Sequence, residues 1–459
     1  MTFEKKEQAA YDFGSYSSVG ASSATVTDSP TAASGESCED LKQDIHAHLL
    51  EQVRPEEINR LSEEDRRTEV QAAVERIIDA ESPLLNAAER RELVEETLDE
   101  VLGLGPLEKL LRDPSAGDIL VNGSQQIYVE RDGNLDEVPV RFRDEEHLLE
   151  IIRRIVAQVG RRVDDKSPIV DARLPDGSRV NAIIPPLSLR GSTLSIRRFR
   201  RNAFTLEDLL RYDTLTSEMA RLLEGVVKAK LNVMVSGGTG GGKTTLLNVL
   251  SAFIPYNERI ITIEDTAELQ LQQRHVVQLE TRPANIEGAG QVTTSDLMRN
   301  SLRMRPNRIV IGECRGPEVL DMLQAMNTGH EGSLTTLHAN SPRDALSRLE
   351  MMVTLTSAEI PLSALREQVV SAIDVIIQVD RLTGGPRRVT SITEVVGIEQ
   401  DAILTQELFA YRQLGVDAEN KAFGRFEATG IRPQFLERLA ADGVELPVDL
   451  FSKRNLRDA

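Results

Sequence analysis

Tryptophan is absent from this chain and cysteine is nearly absent. Among 459 residues there is no Trp, and the two cysteines, Cys38 and Cys314, lie far apart with no C-x-x-C pair. These counts argue against a disulfide framework and against a structural zinc site, which needs several ligands at close spacing. We therefore expect the protein in a reducing, cytoplasmic compartment.

Long apolar runs and an excess of positive charge are also missing. No stretch approaches the roughly 18 apolar residues that a membrane span needs, and the charged residues 1–10 lack the apolar core of a signal peptide. The chain carries 73 acidic against 54 basic residues, a formal net charge of −19. This charge argues against general nucleic-acid binding. We expect a soluble protein that makes no direct contact with nucleic acid and reaches a membrane only through partners.

A glycine-rich segment, residues 236–245, fits the phosphate-binding pattern G-x-x-x-x-G-K-[ST]. An apolar strand is predicted before it and a helix after it, so the positive end of the helix dipole would face the phosphates. Glycines let backbone N–H groups surround a phosphate, Lys243 can bridge the β- and γ-phosphates, and the Thr244 hydroxyl can bind Mg²⁺. The predicted ATP-binding residues are Gly237, Gly238, Thr239, Gly240, Gly241, Gly242, Lys243, Thr244 and Thr245.

The sequence pattern changes three times along the chain. Residues 1–38, rich in Ser, Ala, Thr and Gly, are predicted to form a disordered arm. Apolar residues at helical spacing over 39–102 predict a three-helix bundle, for which packing is favoured over a nucleic-acid or membrane contact. Residues 103–203, with two Asp-Gly turns, predict an α+β domain in which the first turn leads to a strand over residues 138–142. Strands and helices alternate over 204–459, which predicts a RecA-like α/β domain with a mainly parallel sheet and a C-terminal extension.

Three polar clusters follow or flank predicted strands of the last domain. They are residues 264–268, 312–316 and 328–340, and the third has a histidine at each end of one strand, His330 and His338. A carboxylate after an apolar strand can hold Mg²⁺ and a water near a γ-phosphate. The aspartate usual at such a strand end is replaced here by Gly312-Glu313, so Glu313 must supply the charge. Taken alone, each carboxylate fits a helix cap or a surface charge as well as a functional site, and each histidine is more typical of a structural role. Their order after the phosphate-binding segment favours a functional site.

The residue types suggest roles within this site. Glu264 is the first choice for orienting the attacking water, with Glu313 holding the metal shell, although the reverse assignment stays open. Thr244, Glu264 and Glu313 would then surround Mg²⁺. The predicted catalytic set is Lys243, Glu264, Glu313, Arg315 and His338.

Transition-state charge also requires a cation from outside the loop. Spacing alone does not rank the candidate arginines. Arg197 and Arg198, which end the α+β domain, fit either solvated charges or phosphate contacts. The other candidates are Arg274, Arg282, Arg299, Arg303 and Arg315.

The order of these motifs resembles the secretion ATPase superfamily, which comprises type II and type IV secretion motors and type IV pilus motors. In that family the four motifs are called Walker A, Asp box, Walker B and His box. The C-terminal segments 424–433 and 446–451 are similar to those of the CpaF group of Tad (Flp) pilus motors, and the chain lacks the four-cysteine insert of extension motors. The matching segments are 237–244, 261–269, 298–306, 308–316 and 328–340.

The resemblance implies an ATP-hydrolysing motor that forms a homohexameric ring. Its N-terminal α+β domain would be PAS-like, and ATP with Mg²⁺ would lie between the two domains, within reach of Arg197 and Arg179. Inner-membrane platform proteins would be the partners, at the cytoplasmic face of the membrane. Two alternatives stay open, the motor of a conjugative type IV secretion system and a nucleotide-gated scaffold without turnover.

Overall fold

The computed structural model describes residues 45, 48–49, 62–81, 85–131, 134–174, 176–198, 204–282, 284, 289–356 and 360–458. The chain divides into two compact units, Met1–Lys109 and Leu110–Ala459. The predicted arm, residues 1–38, lies outside the described residues. The predicted domain bounds at 38, 102 and 203 stay predictions.

Two amphipathic helices make up most of the described first unit, α1 (Glu63–Glu81) and α2 (Ala87–Leu102). The Asn86 side chain starts α2 by accepting hydrogen bonds from the N–H groups of Ala88 and Glu89, and the Glu89 carboxylate returns a bond to the Asn86 N–H. The buried core combines residues of both helices with the helical residues Ile45 and Leu49. Its main members are Val70, Val74, Ile77, Ile78, Leu93, Val94 and Leu98.

The second unit begins with a six-stranded antiparallel sheet. Its strands follow the order β3-β2-β1-β6-β5-β4, and inward-facing residues alternate with exposed ones, as a half-buried sheet requires. The bounds are β1 (Asp118–Asn122), β2 (Ile127–Arg131), β3 (Asn134–Val138), β4 (Ile169–Arg173), β5 (Arg179–Ile183) and β6 (Thr193–Arg197), with α3 (Leu107–Arg112) before them and α4 (Glu145–Gln158) between β3 and β4.

The third strand of this sheet differs from the sequence prediction. Residues 138–142 were expected to form it, but β3 ends at Val138. The reason is the short connection, because Asn134 already pairs with Arg131 of β2. Because this pairing already begins at Asn134, the strand cannot start later in the chain.

A ten-stranded sheet forms the rest of the unit. The order is β16-β15-β14-β13-β12-β7-β11-β10-β8-β9, parallel from β12 to β9 and antiparallel from β12 to β16. The strands are β7 (Val233–Gly237), β8 (Ile260–Glu264), β9 (Val276–Glu280), β10 (Arg308–Cys314), β11 (Leu334–His338), β12 (Val375–Arg381), β13 (Arg387–Glu399), β14 (Ala402–Val416), β15 (Ala422–Ala428) and β16 (Arg454–Asp458).

Helices connect these strands and form a core on each face of the sheet. Val233 and Val235 pack into one core and Met234 into the other, so β7 is buried on both sides. The helices are α5 (Leu206–Arg211), α6 (Ser217–Lys228), α7 (Lys243–Ser251), α8 (Thr294–Ser301), α9 (Glu318–Asn327), α10 (Pro342–Thr354), α11 (Leu362–Ala372) and α12 (Leu436–Ala441). The predicted fold class, an α/β ATPase-type sheet after an α+β domain, is confirmed.

Membrane-spanning helices were not expected. Across the part of the chain that the structure describes, every helix is too short or too polar to span a bilayer.

A buried ion pair fixes the start of β10. Arg308 is fully buried, and its guanidinium donates to both carboxylate oxygens of Glu258, at 2.6 and 3.1 Å, and to the carbonyl oxygen of Val227 at 2.7 Å. Every contact joins Arg308 to a segment outside β10. Arg308 therefore ties the start of β10 to the end of α6 and to the residues before β8.

Replacing Arg308 by Ala should reduce the free energy of unfolding by about 3–5 kcal/mol, because the Glu258 carboxylate would stay buried without its partner. Urea titration followed by circular dichroism measures this change. Arg299→Ala is the control, because Arg299 pairs with Asp321 but is 67% exposed, and its loss should change the free energy of unfolding far less than the loss of Arg308. Equal effects of the two variants would contradict the structural role of the buried pair.

Candidate functional site

The phosphate loop, residues 237–244, folds tightly against the neighbouring strand β12. A Cβ atom on Gly237 would lie 2.1 Å from the carbonyl oxygen of Val379, and one on Gly241 would lie 2.9 Å from the same atom. Gly240 and Gly242 have φ angles of 69° and 101°, which only glycine adopts without strain. The loop geometry therefore depends on these glycines.

The loop leads directly into helix α7. Gly242 is the N-cap residue and has no side chain to accept a hydrogen bond from the first turn. The first N–H groups of a helix have no partner within the helix, and together with the dipole they form an anion site. The residues present therefore fit the phosphates of a nucleotide.

Lys243 lies at the centre of the site. Its side chain is buried, and Nζ lies 3.1 Å from the Gly238 carbonyl oxygen and 3.2 Å from Nδ1 of His338. Burial lowers the pKa of Lys243, Glu313 opposes this shift, and the positive charges of Arg315, Arg197 and Arg348 reinforce it. An anion bound in the loop would offset this crowding of positive charge.

Strand register brings His338 to the lysine. In the parallel pair of β7 and β11, His338 lies opposite Gly237, the first glycine of the loop. Burial and the charge of Lys243 lower the pKa of His338, which favours the neutral ring. Its Nε2 lies 2.9 Å from Oε1 of Glu313, close enough for an electrostatic contact although the pair is not aligned as a hydrogen bond. His330 precedes β11 and is thus separated from this site by the whole strand.

Glu313 links the histidine to Arg315. Nη2 of Arg315 donates to Oε2 of Glu313 at 2.8 Å, and its Nη1 lies 3.7 Å from Asp265. One continuous polar chain thus runs from Lys243 in the first turn of α7 through His338 at the end of β11 to Glu313 in β10 and Arg315 just after it. Four of the five predicted catalytic residues therefore lie together in this polar chain.

Glu264, the fifth predicted catalytic residue, lies beside the polar chain at the end of β8. It is 4% exposed, and its Oε1 accepts hydrogen bonds from the N–H groups of Glu268 at 2.9 Å and Leu269 at 3.0 Å. Its Oε2 is buried without a protein partner. Burial raises the pKa of Glu264 to about 7, against the effect of the two backbone hydrogen bonds. A carboxyl group with a pKa near neutrality can accept a proton from water at physiological pH.

Gly312 has no side chain, and this leaves space for Glu264 of β8 next to Glu313 of β10. A Cβ atom at position 312 would lie 2.7 Å from Cγ of Glu264. The aspartate that usually ends such a strand would collide with Glu264. The position of Glu264 therefore explains why this chain has Gly312-Glu313 where an aspartate is usual.

The oxygen ligands predicted for Mg²⁺ lie around the phosphate loop. Thr244 is half-buried in the first turn of α7, and Glu313 accepts a hydrogen bond from Arg315 and lies beside His338. Among the described residues, no three His, Cys, Asp or Glu side chains cluster in a way that could hold a metal ion. The oxygens of Thr244, Glu264 and Glu313 are of the kind that Mg²⁺ prefers, and phosphates commonly complete such a site. The residues fit a Mg²⁺ that is bound mainly through phosphate.

Three arginines of the smaller sheet form a row at its edge. In the antiparallel register, Arg179 lies opposite both Arg173 and Arg197, so the three side chains share one face. Arg179 pairs with Glu268 at 2.9 Å, Arg173 contacts Glu280 and Ala267, and Arg197 acts electrostatically on Lys243. Like charges in directly opposite positions destabilise a sheet unless anions offset them.

The structure separates the remaining candidate arginines. Arg315 contacts Glu313, whereas Arg299 pairs with Asp321 at 3.1 Å and Arg282 donates to the Gly290 carbonyl oxygen at 2.7 Å. Arg198 donates to the carbonyl oxygens of Asp113 and Ala116, which favours a structural role for it.

Sequence reasoning missed two arginines near the phosphate loop. Nε of Arg387, the first residue of β13, donates to the Gly240 carbonyl oxygen at 3.0 Å. Arg348 of α10 lowers the pKa of both Lys243 and His338 through its charge. The turn Gly384-Gly385-Pro386 before Arg387 indicated a hairpin, but nothing in the sequence indicated that the hairpin contacts the loop.

Comparison with known proteins places these observations in a family. Residues 100–427 match the family model described as type II/IV secretion system protein. A Mycobacterium tuberculosis protein named "Putative conjugal transfer protein" is 39% identical over 299 residues, covering 64% of this chain and 84% of its own. The type IV secretion system protein PtlH of Bordetella pertussis is 36% identical over 314 residues, covering 62% and 91%.

Among solved structures, the VirB11 ATPase from the Brucella suis type IV secretion system is 30% identical, covers 62% of this chain and 94% of its own, and has a TM-score of 0.34. The family model spans more than half of the chain and contains the phosphate loop, both glutamates and the histidine. This chain belongs to the type II/IV secretion system protein family.

Proposed function

We propose that this chain hydrolyses ATP at the described site and works as the motor of a Tad-like pilus or a related secretion machine. The observation that carries the proposal is the polar chain from Lys243 through His338 to Glu313, which lies at the phosphate loop beside the buried Glu264. The C-terminal segment 424–433 supports the Tad-like assignment.

The chain's own residues divide the work of hydrolysis. The backbone N–H groups of the phosphate loop and Lys243 bind and orient the phosphates. Neutral His338 holds Lys243 and Glu313 in place, and the partnerless Oε2 of Glu264 accepts a proton from the attacking water. The oxygens of Thr244 and Glu313 would hold Mg²⁺, which would supply charge neutralisation to the phosphates. Arg197 and Arg179 close on the nucleotide from the smaller sheet.

The working particle of this proposal is a homohexameric ring at the cytoplasmic face of the inner membrane, with platform proteins as partners. Closing and opening of the two sheets on each nucleotide would transmit force to the platform. Extension and retraction of a pilus both fit such a cycle.

A conjugative type IV secretion motor is the second candidate. The names of the relatives from Mycobacterium tuberculosis and Bordetella pertussis favour it. The net charge of −19 and the C-terminal segment 424–433 favour the pilus motor.

Replacing Lys243 by Ala should abolish ATP binding and turnover, because the loop loses its only side-chain cation. Glu264→Gln should leave binding within about twofold and reduce phosphate release roughly 100-fold or more, because an amide cannot accept the proton. Binding of a fluorescent ATP analogue and a phosphate-release assay measure the two effects. Lys228→Ala, at an exposed pair with Glu224, is the control; phosphate release by Glu264→Gln at the wild-type rate would contradict the assignment of the base.

Arg387→Ala should weaken ATP binding by roughly threefold to tenfold, because the Gly240 carbonyl loses a charge-assisted hydrogen bond that fixes the loop. Isothermal titration with ATP and Mg²⁺ measures the change. Arg381→Ala, at the other side of the same hairpin and paired with Arg387 in register, is the matched control. Equal affinities of the two variants would show that Arg387 does not support the loop.

Duplex DNA should leave the rate of phosphate release within about twofold at low salt, since an acidic surface repels the DNA backbone. The assay compares the rate with and without DNA at two salt concentrations. A several-fold stimulation that disappears at higher salt would favour the second candidate over the pilus motor.

A further inference from the structure

The loop whose N–H groups bind the Glu264 carboxylate lies between β8 and β9 and has no regular secondary structure. This Asp-box loop, residues 265–269, follows β8 directly, and its residues 267–269 belong to no helix or strand. Its N–H groups at Glu268 and Leu269 fix Oε1 of Glu264. Backbone of this kind has no ladder or helix to hold it, so its position depends on other contacts.

Arg173 of the smaller sheet supplies such contacts. Its Nη2 donates to the Ala267 carbonyl oxygen at 2.8 Å, and its Nη1 donates to Oε2 of Glu280 at 2.9 Å. The same carboxylate oxygen accepts the Ala267 N–H at 3.0 Å. Both backbone polar groups of Ala267 are therefore bound, and Arg173, Ala267 and Glu280 form a closed ring.

Arg173 is itself well fixed. Its Nε donates to the Gly177 carbonyl oxygen at 3.3 Å, across its own hairpin, and its side chain is one-third exposed. A guanidinium offers several donors in a planar fork and can bind a carbonyl and a carboxylate at once. A lysine ammonium at this position lacks that planar geometry. The ring thus requires arginine at position 173.

We propose that Arg173 is a positioning residue for ATP hydrolysis, which holds the Asp-box loop so that its N–H groups orient the Glu264 carboxylate. The inference rests on the proposed function, in which Glu264 acts on the attacking water. Arg173 contacts the loop from the smaller sheet, so the base is correctly placed only when the two sheets of the second unit are docked. Hydrolysis is thereby coupled to closure of the nucleotide site.

A positioning role predicts a specific kinetic result. Arg173→Ala should reduce kcat roughly tenfold to 100-fold, since a displacement of about 1 Å costs that much, and should leave the KM for ATP within about twofold. Arg173→Lys should recover only a small part of the loss. Glu280→Gln, which keeps an acceptor oxygen, should retain more activity than Glu280→Ala.

The matched control is Arg131→Ala. Arg131 ends β2 of the same sheet and pairs with Asp113 at 2.9 Å, with a similar exposed fraction. This variant should keep wild-type kcat and KM. Circular dichroism of all variants checks that the sheet is folded, and equal kcat values for Arg173→Ala and Arg131→Ala would overturn the proposal.

A double variant separates positioning from other roles. Combined with Glu264→Gln, Arg173→Ala should cause no further loss in single-turnover hydrolysis, because the two residues act through one group. A second full loss, or a raised KM with unchanged kcat, would overturn the proposal, because Arg173 would then act on the nucleotide directly. Full activity of Glu264→Gln alone would instead reject the proposed role of Glu264. An inactive Glu264→Gln variant together with a fully active Arg173→Ala variant would reject only the positioning role of Arg173.

Discussion

The parallel pairing of β7 with β11 is the constraint on which the whole site depends. In this register His338 lies opposite Gly237, so the histidine contacts Lys243 near the end of the phosphate loop. A shift of one residue would turn the side chain of His338 to the other face of the sheet. Because Val233 and Val235 pack in one core and Met234 in the other, such a shift of β7 would also exchange these residues between the two cores and disrupt their packing. Packing of the sheet therefore fixes the chemistry at its edge.

Glycine residues, which have no side chain, shape this site as much as the charged residues do. Gly237 and Gly241 let the Val379 carbonyl approach the loop, and Gly312 leaves space for Glu264. Each glycine removes a steric conflict between two segments that are distant in sequence. The site is thus a set of close backbone contacts around a few polar groups, and its shape is not set by any one motif.

Local pattern predicted the loop, both glutamates and His338, because these residue types follow apolar strands whose ends share one edge of the sheet. The same pattern could not predict Arg173 or Arg387, since arginine is common on surfaces and both contacts join segments about a hundred or more residues apart. The position of β3 was wrong because strand pairing across a short turn outweighs the apolar pattern of residues 138–142. The chemical roles and the domain bounds are still predictions.

Strand β12 has two different neighbours, and this arrangement has a mechanical consequence. One edge of β12 joins β7 and the phosphate loop, and the other joins the antiparallel strands from β13 to β16. The carbonyl of Val379 touches the loop glycines from the middle of this connection. In the proposed motor, a load applied to the C-terminal strands would therefore reach the phosphate loop through this one sheet, so that the rate of ATP hydrolysis could respond to resistance.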